Sequence, residues 1–354
     1  MREWFPVVII GAGQAGLSAA GELARSGWLP GQDFALLDAA DGPGGAWRHR
    51  WDSLTLARAH RVADLPGFPL GQPDPTTPAS RVVADYYGAY EHRLDLGVIR
   101  PATVTTVTGV DPHTLLVEFS HDGVPQQVPT SRIINATGTW TQPFWPAFPG
   151  RESFRGWQLH TADYRSKEDF RGKRTLVIGA GASAVQFLLE LAPVTDTLWA
   201  TRRPPRWSST PFDDAWGRDV EKRVLAREVA GLPPRSVVAT TGLALTPEVR
   251  AGLEAGILTA RPMPLRLHPT GAEFAEGFEP LDVVFWNTGF RPALRHLAPL
   301  RLREPGGGIR MLDEVRVARD PRVLLVGYGS SSSTVGARRA GRKAALAVRA
   351  TTQR

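Results

Sequence analysis

The chain has 354 residues, 42% of them hydrophobic and 22% charged, which suits about two ordinary globular domains. It contains no cysteine, and this excludes disulfides, thiolate metal sites and a cysteine-based redox relay within the chain. The net charge of +7 is carried almost wholly by scattered arginines, with modest clusters at Arg202 to Arg206 and Arg338 to Lys343. No aromatic–basic stripe accompanies them, so nucleic acid is not an expected partner. No apolar run approaches the ~20 residues that span a bilayer. A strand-like run begins at Val7 and leaves no room for a removable leader, so the expectation is a cytoplasmic protein with no membrane partner.

The first readable unit is a strand, Val7 to Ile10, a glycine loop, a helix-compatible run, Leu17 to Arg25, and a second strand, Phe34 to Leu37. The loop reads Gly11-Ala12-Gly13-Gln14-Ala15-Gly16. Three glycines at this spacing serve a tight turn, approach of the backbone to a pyrophosphate, and close packing of helix on strand. The helix start offers N–H groups and the positive dipole end to phosphates. Asp38, at the end of the second strand, can accept both hydroxyl protons of an adenosine ribose. Gly11, Gly13, Gln14, Ala15, Gly16 and Asp38 are therefore candidate cofactor-binding residues.

Strand-like runs follow at Ala102 to Val110, Leu115 to Phe119 and Arg132 to Asn135, read as a small antiparallel insertion. A second copy of the opening pattern then runs from Arg174 to Arg203. Its loop is Gly179-Ala180-Gly181-Ala182-Ser183-Ala184, with alanine at the third position, a replacement this fingerprint permits. Its second strand, Thr197 to Thr201, ends in Arg202 and Arg203 instead of an acid. Arginine suits a 2′-phosphate, being always charged and able to bind bidentately. Gly179, Gly181, Ala182, Ser183, Ala184, Arg202 and Arg203 are the candidates here.

Farther on, a helix is predicted from Asp213 to Ala230, and a hairpin from Leu265 to His268 and Ala272 to Phe274 about Pro269-Thr270-Gly271. Val283 to Trp286 and Val323 to Val326 read as buried strands, Ser330 to Ser333 as a loop, and Val335 to Arg349 as a helix. The fold class is α/β. It comprises two Rossmann-type dinucleotide-binding domains, each three-layered, with the antiparallel insertion in the first. The expected FAD domain is discontinuous, 1–160 plus 278–354, around an NADP domain at 161–277. Two dinucleotide sites of opposite ribose preference suggest a flavoprotein reduced by NADPH, with NADH a weaker donor. No metal site is read.

Three further stretches carry a resemblance. Gly44-Gly45-Ala46-Trp47-Arg48 and Trp51-Asp52-Ser53-Leu54 resemble the segment after the second FAD strand of flavin-containing monooxygenases. Phe154 to Arg165 fits the fingerprint FxGxxxHxxx(Y/F)(K/R) of that family at every fixed position. Asn135-Ala136-Thr137-Gly138 and Asn287-Thr288-Gly289-Phe290-Arg291 resemble the two turns that link its FAD and NADP domains. The resemblance runs from Val7 to about Val348, and the chain length is closest to the short bacterial members. Sister Baeyer–Villiger enzymes usually carry Trp-Pro or Trp-Asp where this chain has Tyr164-Arg165. Some short bacterial members that accept NADH carry Gln-His where it has Arg202-Arg203.

The resemblance implies chemistry at flavin C4a. NADPH reduces FAD, O2 adds to give a hydroperoxide, and this oxygenates a small molecule with a soft sulfur or nitrogen, or a ketone. Bound NADP+ shields the adduct, in a site that must be dry. The implied flavin-side residues are Gly45, Trp47, Arg48 and Trp51, the last three being the candidates nearest the chemistry. Thr137, Gly138, Thr288, Gly289, Gly327 and Tyr328 are further cofactor contacts. His160 is implied to be an interdomain hydrogen-bonding residue, and Tyr164 and Arg165 positional ones. Two features depart from the family pattern. The asparagine that larger members hold near the flavin has no counterpart between Ala57 and Leu70, and Ser330 stands where related flavoproteins have an acid. A reductase or oxidase passing electrons to an external acceptor or to O2 stays open. So do the substrate, read through access segments Ala57 to Gln72 and Trp207 to Arg223, and a homodimer.

Overall fold

The computed structural model describes residues 3–59, 62–209, 214–234 and 242–352. His60 and Arg61, in one expected access segment, and Thr210 to Asp213, in the other and at the expected start of a helix, lie outside the described residues. The chain divides into two compact units. One comprises Met1–Thr139, Arg218–Arg235 and Pro292–Arg354, the other Trp140–Gly217 and Ser236–Arg291.

In the first unit the strands Phe34–Leu37, Phe5–Ile10, Val124–Asn135, Leu115–His121 and Ala102–Gly109 lie side by side in that order. Phe5–Ile10 is parallel to both neighbours, pairing Val8 with Ala35 and with Ile133. Val323–Leu325 adds a further parallel strand, Val323 opposite Ile133. Val7, Ile9 and Ile134 feed one core, and Val8, Ile10 and Ile133 the core on the opposite face. Burial on both faces is why these strands read as unbroken apolar runs.

The insertion differs from expectation. Arg132 to Asn135 is the parallel end of a 12-residue strand, Val124–Asn135. Its other half forms the antiparallel partner of Leu115–His121. That half contains Pro125, Gln126, Gln127 and Pro129 and is exposed at residues 124–127. Its sequence carries little strand signal, because cross-strand pairing rather than apolar burial holds it there.

Three helices cover the first core. In Thr334–Thr352, buried Ala337, Ala340, Ala344, Ala345 and Val348 recur at helical spacing and face Gln14–Arg25. The two backbones meet closely at Gly341, where a Cβ would lie 2.7 Å from the Ala15 carbonyl oxygen. Helix Ala79–Arg93 presents Tyr86, Tyr87 and Tyr90, all buried. Tyr86 Oη accepts from Leu65 N at 2.7 Å and donates to Phe68 O, while Tyr90 Oη donates to Pro66 O at 3.2 Å. Part of the expected access segment Ala57 to Gln72 is thus pinned to a helix.

The second unit has a five-stranded, wholly parallel sheet in the order Ala260–Pro262, Asp196–Thr201, Arg174–Ile178, Val283–Trp286, Trp157–His160. A three-stranded meander, Arg266–His268, Gly271–Phe274 and Gly277–Pro280, contains the predicted hairpin. The expected boundaries at 160/161 and 277/278 fall inside this unit. Trp157–His160 and Val283–Trp286 pair with each other and complete its sheet, a long-range pairing with no local sequence signal.

The helix predicted from Asp213 spans Asp214–Val229. From Arg218 to Arg235 this segment belongs to the first unit, although it lies within the stretch expected to be NADP domain. No helix among the described residues is long and apolar enough to cross a membrane.

Candidate functional site: two glycine loops with unlike surroundings

The first glycine loop leads from Ile10 to the helix Gln14–Arg25. Gly11 has φ +101°, and a Cβ there would lie 2.6 Å from Ala136 O. A Cβ on Gly16 would lie 1.8 Å from Gly11 O. Gly13 differs: a Cβ would meet nothing nearer than Gly45 Cα at 4.0 Å. Its open backbone is the approach a pyrophosphate needs, with the helix start behind it. Gly45 brings a second loop over the first, since a Cβ there would stand 2.8 Å from Gly13 Cα.

Gln14 and Asp38 are both buried, at 8% exposure. Tyr87 Oη donates to Gln14 Oε1 at 2.8 Å, and Gln14 Nε2 is a buried donor with no partner among the described residues. A buried amide donor left this way is costly unless a ligand accepts from it. Asp38 takes Ala12 N on Oδ2 at 3.0 Å, Ala40 N on Oδ1 at 2.9 Å, and Arg100 on Oδ2 at 3.4 Å. A carboxylate offers about four acceptor sites. Three are taken, so Asp38 has room for one ribose hydroxyl where the sequence reading expected two. Arg100 is itself held bidentately by Glu91, at 2.6 and 2.7 Å.

The remaining residues of the first unit divide into packing and turn elements. Trp47 packs partly buried against the first core, and Trp51 is buried at 4% exposure. Arg48 closes its own loop, donating to Pro43 O at 3.1 Å and pairing with Asp41 at 2.7 Å. The Thr137–Gly138 turn is fixed by a chain of bonds. His296 Nε2 donates to Asn135 Oδ1 at 2.6 Å, Asn135 Nδ2 to Thr137 Oγ1 at 3.0 Å, and Thr137 Oγ1 to Ala293 O at 2.7 Å. Burial pushes the His296 imidazole down to about 4, so it is neutral near pH 7.

Gly327 lies against the glycine loop, where a Cβ would be 3.4 Å from Ala15 Cβ. Tyr328 is buried, and burial raises its phenol to about 12. Beside this turn stands Glu228, 1% exposed and absent from the sequence reading. Its Oε1 accepts from Ser330 N and its Oε2 bonds Ser330 Oγ, both at 2.8 Å. Burial raises the carboxyl to about 7 against the pull of these bonds, and Glu314 adds to the rise. An acid does serve the turn that ends in Ser330, but it comes from 102 positions away.

The second glycine loop repeats the first with different fillings. Gly179 has φ +146°, and a Cβ would lie 2.2 Å from Asn287 O. Trp199 Nε1 donates to Gly179 O at 2.7 Å. A Cβ on Gly181 would meet nothing within 4 Å, so this loop also leaves its middle glycine open. Ala182 and Ser183, partly exposed, begin the helix Ala182–Leu191, and Ala184 fits there fully buried. Arg202 and Arg203 are both exposed, and no described carboxylate pairs with either.

The fingerprint residues Phe154 to Arg165 are scaffold parts of this second unit. A Cβ on Gly156 would strike Asp282 O and the Phe154 ring. His160 Nε2 donates to Gly289 O at 3.0 Å, while Nδ1 accepts from Ala162 N at 3.3 Å. Burial lowers its pKa, and these partners require the neutral Nε2–H tautomer. These partners lie within the second unit, so the bonds are not the interdomain ones expected of this residue. Tyr164 is fully buried among Phe170, Phe187 and Phe285. Arg165 reaches back to Tyr164 O at 2.9 Å. The Thr288–Gly289 turn is anchored by Thr288 Oγ1 on Phe144 O at 2.5 Å. Among the described residues no cluster of three or more His, Cys, Asp or Glu could hold a metal ion.

Two sheets with parallel cores, each with a glycine loop open at its middle glycine, define a two-dinucleotide oxidoreductase fold. Residues 8–214 match the family model described as pyridine nucleotide-disulphide oxidoreductase. The chain is 35% identical to a doubly substituted variant of the flavin monooxygenase from Stenotrophomonas maltophilia, covering 99% of this chain and 100% of that one, with a TM-score of 0.82. It is 35% identical over 193 residues to an indole-3-pyruvate monooxygenase from Oryza sativa, covering 54% of this chain and 46% of that protein. It is 28% identical over 279 residues to a Baeyer-Villiger monooxygenase from Streptomyces coelicolor, covering 78% and 50%. The chain belongs to the pyridine nucleotide-disulphide oxidoreductase family and, within it, to the flavin-containing monooxygenases. Its matches span about half the length of the curated relatives. With no cysteine it has no dithiol of its own.

Proposed function

We propose that this chain is an FAD-dependent, NADPH-driven monooxygenase acting on a small soft nucleophile, a sulfide or an amine. One observation carries the choice of cofactors. The second strand of one glycine loop ends in a buried aspartate, and that of the other in two exposed arginines with no carboxylate partner among the described residues. The full-length likeness to the Stenotrophomonas flavin monooxygenase supports the reaction class. The cytoplasmic expectation belongs to this reading, since NADPH is supplied there.

Each group in the first unit has a defined task. The N–H groups from Gly13 onward would hold the FAD pyrophosphate. Asp38 would accept one ribose hydroxyl, and Gln14 Nε2 would donate to a cofactor oxygen. The second loop and the start of Ala182–Leu191 would hold the NADPH pyrophosphate, with Arg202 and Arg203 on its 2′-phosphate. His160 and His296, both neutral, hold turns in place. Bound FAD supplies the hydride acceptor and the oxygen chemistry. Overall, NADPH gives a hydride and solvent a proton, one atom of O2 joins the substrate, and the other leaves as water.

The test begins with colour. The purified protein should be yellow, and NADPH should bleach it; a colourless protein defeats the flavin reading. Reduced protein with NADP+ bound, mixed rapidly with O2, should then show a transient absorbance unlike either oxidised or reduced flavin. Immediate reoxidation with stoichiometric hydrogen peroxide would instead identify a reductase or oxidase.

A further inference from the structure

The turn Gly327–Ser331 joins the strand Val323–Leu325 to the helix Thr334–Thr352 and lies against the first glycine loop at Ala15. Glu228 reaches this turn from another part of the chain. The chain leaves the second unit at Gly217, contributes Arg218–Arg235 to the first, and re-enters the second at Ser236. The carboxylate fills the space a side chain at residue 329 would need, since a Cβ on Gly329 would lie 1.4 Å from Glu228 Oε1.

A carboxyl group at 1% exposure is costly to bury without compensation. Two cations of the same unit are engaged elsewhere. Arg339 pairs with Glu221 and Glu314, and Lys343 pairs with Glu314. Among the described residues, the side-chain partners of Glu228 are Ser330 N and Ser330 Oγ. The pair can also change protonation state without breaking. The ionised acid accepts from both groups. The protonated acid keeps Ser330 N on Oε1 and donates from Oε2 to Ser330 Oγ, because a hydroxyl can rotate between donor and acceptor.

We propose that Glu228 is a positioning residue of the first dinucleotide site: its two bonds to Ser330 hold the turn Gly327–Ser331 against the glycine loop, and FAD affinity depends on that brace. The inference rests on the FAD reading above. It assigns a role in cofactor binding to a helix that enters from the nicotinamide side of the sequence. Glu228 touches neither cofactor nor substrate in this role and acts through Ser330.

FAD binding to the full-length apoprotein tests it, followed by flavin fluorescence, with NADP+ affinity and thermal melting measured on the same samples. Glu228→Ala leaves two buried donors of Ser330 without acceptors and should raise the Kd for FAD about tenfold or more. Its NADP+ affinity should stay within about threefold of wild type, because the second glycine loop lies in the other unit. Glu228→Gln keeps an oxygen for Ser330 N and an amide donor for Ser330 Oγ, and should restore FAD affinity to within about threefold of wild type. If Glu228→Ala does not fold, Gly329→Ala displaces the carboxylate instead and should weaken FAD by a similar factor. A folded Glu228→Ala or Gly329→Ala variant with wild-type FAD affinity and an unchanged visible spectrum overturns the proposal. So does a Glu228→Gln variant that loses as much as Glu228→Ala, or an equal loss of NADP+ affinity. Wild-type protein that binds no FAD defeats the flavin reading itself.

Discussion

His296 donates from Nε2 to Asn135 Oδ1 at 2.6 Å, across 161 positions of sequence, and so determines the pose of the Asn135–Gly138 turn. The second unit has a counterpart: Thr161 Oγ1 donates to Asn287 Oδ1 at 2.8 Å, and His160 holds the carbonyl of Gly289. Each glycine loop thus faces an Asn-bearing turn steadied by a neutral histidine. The repeat lies in the turn and its Asn, while the histidines come from unrelated sequence positions and bond different atoms, Asn135 Oδ1 and the Gly289 carbonyl.

The burial of His296 makes stability depend on pH. Its folded pKa of about 4 lies below the unfolded value of 6.5. The neutral form is therefore favoured by folding, and its stability contribution is complete above pH 6.5. It declines as pH falls toward 4, because the unfolded chain takes up a proton that the folded chain does not. At about 1.4 kcal/mol per unit, the loss is on the order of 3 kcal/mol. His296→Gln keeps a donor for Asn135 but cannot titrate there. Urea unfolding at pH 7 and pH 4.5 should show a steeper fall for wild type than for the variant. Parallel falls would place the protonation elsewhere.

Arg202→Gln combined with Arg203→His should raise the KM for NADPH by tens- to a hundredfold and leave that for NADH nearly unchanged. A pair of charge-assisted contacts to a phosphate contributes about 2–3 kcal/mol. Both side chains are exposed, so the fold should be indifferent to the change. Equal effects on the two nucleotides, measured in steady state, would show that the arginines do not touch the 2′-phosphate.

Gln14 and Tyr87 predict a separation of stability from binding. Converting both, Gln14→Leu with Tyr87→Phe, removes a buried hydrogen bond together with both partners and the orphaned Nε2. Such paired removals are nearly neutral for stability. The melting temperature of the apoprotein should change little, while the Kd for FAD should rise about tenfold. An unaltered Kd would mean that Nε2 faces no cofactor atom.

Much of this architecture was legible in the chain. Both glycine loops, the strands before them and the helices after them stand where the apolar runs and glycine spacing placed them. Less legible was Val124–Thr130, whose Pro and Gln residues form a strand only because Leu115–His121 offers a partner. The role of the Phe154 to Arg165 fingerprint was also obscured. Its residues read as positional, but not what they position: Tyr164 is aromatic core and His160 caps a turn. Arg48, read as a flavin neighbour, also closes its own loop onto Asp41, a contact the sequence did not signal.

By itself the sequence determined the two loops and the different residues that end their second strands. Both are local, resting on backbone geometry and residue identity within a few dozen positions. Only the tertiary structure decided how the sites are braced. Asp38 has room for one hydroxyl because Ala12, Ala40 and Arg100 converge on it. Glu228 serves the turn at Ser330 because a helix from the middle of the chain folds back onto the first unit. A hydrogen bond specifies its partner by position in space, and over 100 residues of separation no spacing rule carries that position.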